Sequence, residues 1–276
     1  MKFSVVLSTN TTKFDAVAFQ GDFQDNIARI AAIGYDGVEL AIRDPSLVDI
    51  AEIQRTLARH NLTVPAIGTG QAYGEDNLSF TSPNQDIRRQ AVDRIKAQIR
   101  LASEFQAIVI LGLIRGIVPP GIKLEKAMDW LVTALQKCTE TAAAYEVRLA
   151  LEPISRAETD LINTIDDGLS LLDRVGADDS LLGLLLDTYH MHIEETDIQD
   201  GLREAAPHIF HFHVADSNRR YPGAGKLDFK TILTQLRDDL NYQGWVSAET
   251  LPYPDAETAA AKGLSHLRAC LGFFGN

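Results

Sequence analysis

The chain alternates short apolar runs with longer stretches of helical periodicity, and it does so eight times. The apolar runs, which predict buried strands, cover residues 3–7, 37–41, 63–67, 107–112, 148–151, 182–186, 209–212 and 245–248. The helical stretches cover residues 22–33, 48–60, 85–105, 124–145, 165–175, 198–206, 229–240 and 256–274. Strict alternation predicts a parallel sheet with right-handed crossovers, and eight repeats close a (β/α)8 barrel. We therefore predict an α/β protein, a TIM barrel that forms a single catalytic domain over residues 1–276.

Length and charge agree with this fold and exclude some partners. A chain of 276 residues with 45% apolar residues suits one barrel with one large core. A formal charge of −12 argues against nucleic acid as a partner, because phosphodiester backbones attract basic surfaces. The apolar run at the N-terminus is too short for a signal peptide or a membrane span. Cys138 and Cys270 lie on helical patterns and are expected to be reduced, which fits a cytoplasmic location.

Four chemically active residues come directly after the last four apolar runs: Glu152, Asp187, His213 and Glu249. In a TIM barrel the carboxyl ends of the strands meet at one mouth, so these four side chains are expected to form a cluster. Three carboxylates with a single imidazole suit Mn²⁺, Mg²⁺ or Co²⁺ better than a metal that prefers thiolates. The sequence therefore predicts a site for one divalent ion, with Mn²⁺ as the first choice.

Alternation along the seventh strand selects the histidine ligand. In the segment 208–214, His211 and His213 share one face, while Phe210 and Phe212 share the other. The phenylalanines are expected to face the helices, so both histidines point into the barrel. His213 lies nearer the mouth and is the predicted ligand. His211 is predicted to be a hydrogen-bonded interior residue beneath it.

Further polar residues lie in the segments that follow the strands. His190 comes three positions after the predicted ligand of the sixth strand, and Arg219 comes six positions after that of the seventh. Either residue can bind substrate or be solvated. Glu158 and Arg156 share the loop after the fifth strand, where they can pair with each other.

Two more cations are predicted at the same mouth. Arg43 follows the second strand and Arg115 follows the fourth, in a protein that is otherwise acidic. Arginine suits a planar carboxylate, so these two residues are candidates for binding the acid group of a sugar acid. A phosphate group can use the same cations.

The predicted cluster suggests a particular reaction. A divalent ion that chelates a ketone oxygen and the neighbouring hydroxyl acidifies the intervening C–H and stabilises an enediolate. Two carboxylates on opposite sides of that carbon can remove a proton from one face and return one to the other. Glu152 and Glu249, on the fifth and eighth strands, are the natural pair for this proton transfer.

The motifs at residues 151–159, 187–195 and 211–219 resemble those of the xylose-isomerase-like sugar isomerases and epimerases, in particular the ketose 3-epimerases of the tagatose/psicose type. The resemblance runs the length of the chain. It implies metal ligands at Glu152, Asp187, His213 and Glu249, an acid/base pair at Glu152 and Glu249, and substrate-binding residues at Glu158, His190 and Arg219. Ser155 and Ala157 stand where the family commonly has Asn and Tyr, which loosens the inference about the substrate.

A narrower resemblance is to the 5-keto-L-gluconate epimerases. It is carried by residues 5–9, 41–46, 66–73 and 212–219. It implies interconversion of 5-keto-L-gluconate and D-tagaturonate, a 3-epimerisation of a keto-sugar acid. Arg43 and Arg115 agree with an acidic substrate. A free ketose and a pentulose 5-phosphate remain the alternatives, and a homodimer or homotetramer is expected by analogy.

Two other classes of protein share parts of this pattern. Related barrels serve as DNA-repair endonucleases, but these need further histidine and acidic ligands for several zinc ions and a basic face for DNA. The net charge and the single visible ligand set argue against that class. A sugar-binding protein without catalysis is the other alternative, and the presence of both Glu152 and Glu249 argues against it.

Overall fold

The computed structural model describes residues 1–272, in which eight parallel strands close a barrel. The strands are β1 (Lys2–Ser8), β2 (Gly37–Ala41), β3 (Ala66–Gly68), β4 (Ile108–Leu111), β5 (Leu149–Leu151), β6 (Leu182–Asp187), β7 (Ile209–Val214) and β8 (Trp245–Ala248). Each strand pairs with the next along the chain, and β1 pairs with β8 to close the ring. A two-residue strand, Phe19–Gln20, pairs with the end of β1. The predicted TIM barrel is confirmed.

A helix follows each strand and packs on the outside of the barrel. The helices are α1 (Phe23–Ile33), α2 (Ile50–His60), α3 (Gln85–Ser103), α4 (Leu124–Ala144), α5 (Ile165–Val175), α6 (Ile198–Ala205), α7 (Phe229–Thr234) and α8 (Ala256–Cys270). Most begin at a side chain that accepts a hydrogen bond from the first turn, as Asp22 does for α1 and Asp255 does for α8. Thr164 and Asp167 form a reciprocal capping box at α5.

The boundaries differ from the predicted ones mainly near the site. β6 and β7 extend further than predicted, so Asp187 and His213 lie within their strands instead of after them. The third strand begins later, at Ala66, and Thr63 makes only an isolated bridge to Gly37. The helix predicted over 229–240 ends as a π-helical turn, Gln235–Asp239. The last helix ends at Cys270, and the predicted positions 273–274 lie outside the described residues.

The core has two layers, because successive side chains of a strand point to opposite sides of the barrel wall. The larger layer lies between the strands and the helices and includes Phe212 of β7. A smaller apolar group lies inside the barrel: Ala66, Ile108, Ile110, Ala150 and Leu185. Phe210 packs against this group, so the prediction that it faces the helices is wrong; the pairing of β6 with β7 is irregular at this point. The small interior layer forms the apolar base on which the polar groups of the mouth are held.

Two further properties of residues 1–272 bear on earlier expectations. None of their helices is long and apolar enough to cross a bilayer. Cys138 and Cys270 are free thiols, as expected, and burial raises the pKa of the Cys138 thiol to about 12. A thiol with so high a pKa is a packing residue, because the reactive form is the thiolate.

Candidate active site

A cavity of about 250 Å³ opens at the carboxyl ends of the strands. Its lining comes from both halves of the barrel and includes Glu39, Gln71, Glu152, Glu158, His190, His213, Arg219 and Glu249. In TIM barrels this end carries the active site, because the loops that follow the strands meet there. The volume suits a single monosaccharide and excludes a polymer from the enclosed part.

Four of the predicted residues come together at the base of this cavity. Glu152, Asp187, His213 and Glu249, called here the acidic cluster, present ligand atoms that all lie within 4.8 Å of one another. Asp187 Oδ1 accepts a hydrogen bond from the backbone N–H of Tyr189. Asp187 Oδ2 and His213 Nδ1 are buried and have no hydrogen-bond partner. Buried polar atoms without partners are costly, so their presence beside two further carboxylates fits a site for a cation.

The charges of the acidic cluster are unbalanced. Burial raises the pKa of Glu152 well above its usual value, and the neighbouring Glu249 raises it further. Burial also raises the pKa of Glu249 to about 7. Burial lowers the pKa of His213, but Glu39, Glu249 and Glu152 outweigh that effect and hold it well above the usual value. Carboxylates this close repel one another, and a divalent cation between them relieves the repulsion.

Glu39 lies in the middle of β2, and the sequence analysis missed it. It is 1% exposed, and its carboxylate lies 2.8 Å from Nε2 of His211 and 3.0 Å from Nε2 of His213. His211 is therefore the hydrogen-bonded interior residue that the sequence predicted. The available signal was a charged residue between Val38 and Leu40, because a charge in a fully buried strand needs a partner.

His190 lies on the short helix Thr188–Glu194 that follows β6 directly. Its Nδ1 accepts a hydrogen bond of 3.3 Å from the backbone N–H of Ser155, so Nε2 carries the proton in the neutral ring. Nε2 lies 4.0 Å from Oε1 of Glu152. Burial lowers the pKa of His190, which favours the neutral ring. The structure thus brings a neutral N–H donor to the edge of the acidic cluster.

Glu158 pairs with Arg219, not with Arg156. Arg219 Nη1 lies 2.6 Å from Oε1 of Glu158, and both residues line the cavity. Arg156 pairs instead with Glu194, whose carboxylate also accepts the backbone N–H of Arg156 at 2.7 Å. The alternative in which Glu158 and Arg156 pair is therefore wrong, because the loop after β5 turns Glu158 towards the cavity and Arg156 towards Glu194, at the end of the short helix after β6.

Arg219 is held on several sides. Its guanidinium carbon lies 4.9 Å from the ring centre of Tyr189 and 5.2 Å from that of Phe14, within range of cation–π contacts. Its Nη2 lies 3.9 Å from Oε2 of Glu249. The phenylalanine comes from the loop after β1, so Arg219 links the two halves of the mouth.

Arg43 does not line the cavity, contrary to its predicted place there. Its Nε donates to Asp76 Oδ1 at 2.9 Å, and its guanidinium is partly exposed. Arg94 joins the same network through Asp76 and through Asp44, at 2.8 and 2.7 Å. The guanidinium is held away from the cavity by Asp76, a carboxylate that lies 33 residues further along the chain.

Arg115 is fully buried and also lies outside the cavity lining. Its guanidinium donates to the carbonyl oxygens of Leu161 and Ile162 at 2.9 and 3.1 Å, and to that of Glu152. Burial lowers its pKa to about 10, which still leaves it charged at neutral pH. Its donors are occupied by backbone, so it braces the segment around Glu152 instead of presenting a cation to substrate.

The wall opposite the acidic cluster was not predicted either. Gln71 follows β3 and donates from Nε2 to Ser8 Oγ at 2.6 Å. Phe14 and Lys13, from the loop after β1, and Glu75 complete this side of the lining. The backbone N–H of Lys13 donates to Glu75 Oε1 at 3.1 Å. This side therefore combines one lysine, one carboxylate and polar neutral groups.

Known proteins share both the fold and the sequence pattern. A family profile described as xylose isomerase-like TIM barrel matches residues 27–270. The L-ribulose 3-epimerase of Mesorhizobium japonicum is 30% identical over 243 residues, which cover 85% of this chain and 79% of that protein. The D-psicose 3-epimerase of Ruminiclostridium cellulolyticum is 29% identical over 238 residues, which cover 84% of this chain and 79% of that protein.

A solved structure extends the comparison to the fold. The D-allulose 3-epimerase from Methylomonas sp., in complex with D-allulose, superposes with a TM-score of 0.83 at 23% identity, covering 98% of this chain and 96% of that one. The match to the family profile and the identity to the L-ribulose 3-epimerase agree with it. The chain therefore belongs to the xylose isomerase-like TIM barrel family, and within it is a sugar epimerase, an isomerase related to the ketose 3-epimerases.

Proposed function

We propose that the protein is a divalent-metal-dependent 3-epimerase that inverts the carbon beside the ketone of a keto sugar. The observation that carries this proposal is the pair Glu152 and Glu249, a buried and a partly buried carboxyl group with raised pKa values in one cluster at the base of the cavity. They come directly after β5 and β8, the two outer strands of the four that supply the cluster.

The acidic cluster fits a divalent ion through three carboxylates and His213 Nδ1. This donor set supports Mn²⁺, with Mg²⁺ and Co²⁺ as the alternatives. A bound ion would polarise the ketone oxygen and so acidify the neighbouring C–H. Asp187 is proposed as a metal ligand only, without a part in proton transfer. Its Oδ2 has no hydrogen-bond partner, and the residue does not line the cavity.

The protein's own groups carry the proton. A carboxyl whose pKa lies near neutrality can both accept and release a proton, which is the requirement for a base that becomes an acid in the reverse direction. Glu152 and Glu249 are proposed to act on opposite faces of the carbon. His190 offers Nε2–H, and Arg219 with Glu158 offers a charged pair that can hold substrate hydroxyls.

For the substrate we propose a keto-sugar acid, 5-keto-L-gluconate or D-tagaturonate. The motifs shared with the 5-keto-L-gluconate epimerases support it, although Arg43 and Arg115 do not. Lys13 takes their place as the candidate for the carboxylate, because it lines the cavity and has no ion pair among the pairs of residues 1–272. Glu75 beside it argues against a phosphate dianion, so a pentulose phosphate is the weakest of the alternatives.

A free ketose is the second candidate. The two relatives named above are an L-ribulose and a D-psicose 3-epimerase, and both names describe uncharged substrates. The polar neutral groups near Gln71 suit a chain of hydroxyls as well as they suit a sugar acid.

A substrate panel tests the proposal. Metal-free protein reconstituted with Mn²⁺ is incubated with hexuronates, hexuloses and pentulose phosphates in D₂O, the ion is removed, and products are assigned by NMR. We expect inversion beside the ketone together with deuterium at that carbon, fastest for the keto-sugar acids. Absence of both inversion and deuterium with every compound would refute the epimerase assignment, and faster turnover of a neutral ketose would select the second candidate.

Lys13→Ala tests whether this lysine binds the carboxylate of a sugar-acid substrate. We expect KM for the sugar acid to rise by about threefold to tenfold, because an exposed charge contact is weak, with little change for a neutral ketose. Lys137→Ala on α4 removes an equal charge away from the cavity and is the matched control. Equal changes for both substrates in the Lys13 variant would remove this residue from the recognition of the acid.

A further inference from the structure

Glu39 belongs to a second group of acid and histidine residues, directly beneath the acidic cluster. Glu39, His211 and His213, called here the Glu39 network, are all buried, and His213 is shared with the acidic cluster. Glu39 comes from β2 and the two histidines from β7, so the network spans the inside of the barrel.

The contacts of Glu39 decide which nitrogen of His213 faces the acidic cluster. Oε2 of Glu39 lies 2.8 Å from His211 Nε2 and 3.0 Å from His213 Nε2. An ionised carboxylate only accepts, so both rings must present an Nε2–H to it. In the neutral ring, the form that can bind an ion, His213 Nδ1 is then the nitrogen without a proton; it lies 3.9 Å from Glu249 Oε2 and has no hydrogen-bond partner.

We propose that Glu39 is a positioning residue that fixes His213 with its proton on Nε2, so that the Nδ1 lone pair is aimed at the ion of the acidic cluster. This inference rests on the proposed metal centre and adds to it the residue that sets its affinity. Partners of this kind orient ligand histidines and typically change metal affinity by about 10- to 100-fold when they are replaced.

The same three residues can also be considered as ligands of a second ion, and the geometry argues against that. Their contacts of 2.8 to 3.1 Å are hydrogen-bond distances, and each joins a carboxylate oxygen to a ring nitrogen. An ion at that point would have to displace both Nε2 protons. In the acidic cluster, by contrast, Asp187 Oδ2 and His213 Nδ1 stand without partners.

Glu39→Gln makes a sharp test because an amide has only one accepting oxygen. Oε1 and Oε2 of Glu39 lie 3.1 and 3.0 Å from His213 Nε2, so in either orientation the NH₂ group lies beside that nitrogen and favours the tautomer with the proton on Nδ1. A proton on Nδ1 prevents that nitrogen from binding the ion. His211→Gln is the matched control, since it is buried in the same network but leaves the bond from His213 to Glu39 in place.

The measurement is Mn²⁺ binding to the metal-free proteins by calorimetry, with melting of each metal-free variant as the check of folding. We expect one ion per chain for the parent and for both variants. Affinity should fall by about 10- to 100-fold in the Glu39 variant and by less than about threefold in the His211 variant. Equal affinity in the parent and the Glu39 variant would overturn the proposal, and so would two ions in the parent with one in the variant.

A second readout does not depend on any variant folding. In Mg²⁺-loaded parent protein with ¹⁵N-labelled histidine, the ring nitrogens of His213 should show a proton on Nε2 and none on Nδ1. A proton on Nδ1 would reject the positioning role. Failure of the proposed function is distinguishable, because it would appear in the parent as the absence of epimerisation while these binding and NMR results stand unchanged.

Discussion

The two halves of the barrel divide the site between them. Strands β5 to β8 carry all four residues of the acidic cluster, each at or near the carboxyl end of its strand. Strands β1 to β4 supply the opposite wall, with Gln71 and the loop that holds Phe14, and they supply Glu39 beneath the cluster. In the proposed function the second half would offer the metal ligands and the proton carriers, and the first half would orient one ligand and line the space for substrate.

The halves also differ in how their charges are balanced. In the first half Glu39 is matched by two imidazoles, and Arg43 is matched by Asp76. In the second half burial raises the pKa of Glu152 and Glu249, and neighbouring carboxylates raise both further while His213 lowers both. Of these charged groups within residues 1–272, the carboxylates of the acidic cluster are therefore the ones that a bound cation would stabilise.

Among the changes to the second half, removal of the ion should have the largest effect on epimerisation. We expect a chelator followed by desalting to reduce epimerisation to background, because polarisation of the ketone is lost, and Mn²⁺ or Co²⁺ to restore it. The ion should also raise the melting temperature, since it binds only the folded cluster. Undiminished turnover in protein shown by elemental analysis to hold no metal would contradict this.

Replacing the proton carriers should have the next largest effect. We expect Glu152→Gln or Glu249→Gln to lower the rate by roughly 10²–10⁴-fold, because one face of the carbon loses its base. Each variant should still exchange the substrate proton with deuterium from the surviving face, without inversion. Mn²⁺ affinity is measured in parallel, since both residues are also proposed ligands. Epimerisation at the parental rate by a metal-loaded variant would show that another residue carries the proton.

Replacing one arginine in each half, Arg219 after β7 and Arg43 after β2, compares the two halves directly. We expect Arg219→Ala to lower kcat/KM by about 100-fold, because it removes a largely buried charge that lines the cavity, pairs with Glu158 and lies near Glu249. Arg43→Ala should change kcat/KM by less than about twofold, because a partly exposed pair away from the cavity contributes little. Similar losses in the two variants would mean that the first half takes part in chemistry as well as in support.

The second half was predicted well from sequence for a physical reason. Its carboxylates follow buried apolar runs, and the barrel brings the ends of such runs together whatever the loops do. The strand pattern alone was enough to predict the positions of Asp187 and His213. Both residues lie at or near the carboxyl ends of β6 and β7. The ligand set did not depend on knowing any loop conformation.

The first half was predicted poorly because its contacts depend on loops and on side-chain partners. Arg43 was expected at the mouth by its position after β2, but its partner Asp76 lies 33 residues further along the chain. Arg115 was expected there too, but carbonyl groups near residue 161 hold it inside. Glu39 was visible in the sequence as a charge within a strand, and its partners became clear only when β2 and β7 were placed across the barrel.

The smallest expected effect is on the melting temperature of the metal-free protein, which should change by a few degrees with pH. The direction of the change should differ between the carboxyl groups of the two halves. A carboxyl whose pKa is raised on folding stabilises the protein below its unfolded value of 4.5, and that stabilisation is lost as the pH rises through the folded value of about 7, as for Glu249. We therefore expect melting at pH 8 to fall below that at pH 5.5, and Mn²⁺ to recover it. Glu39 has a lowered pKa and acts in the opposite sense, at more acidic pH. Calorimetric scans of the parent and of Glu249→Gln measure this, and the variant should show a shallower fall. An equally steep fall in both would show that a group other than Glu249, such as Glu152 or His213, controls the pH dependence.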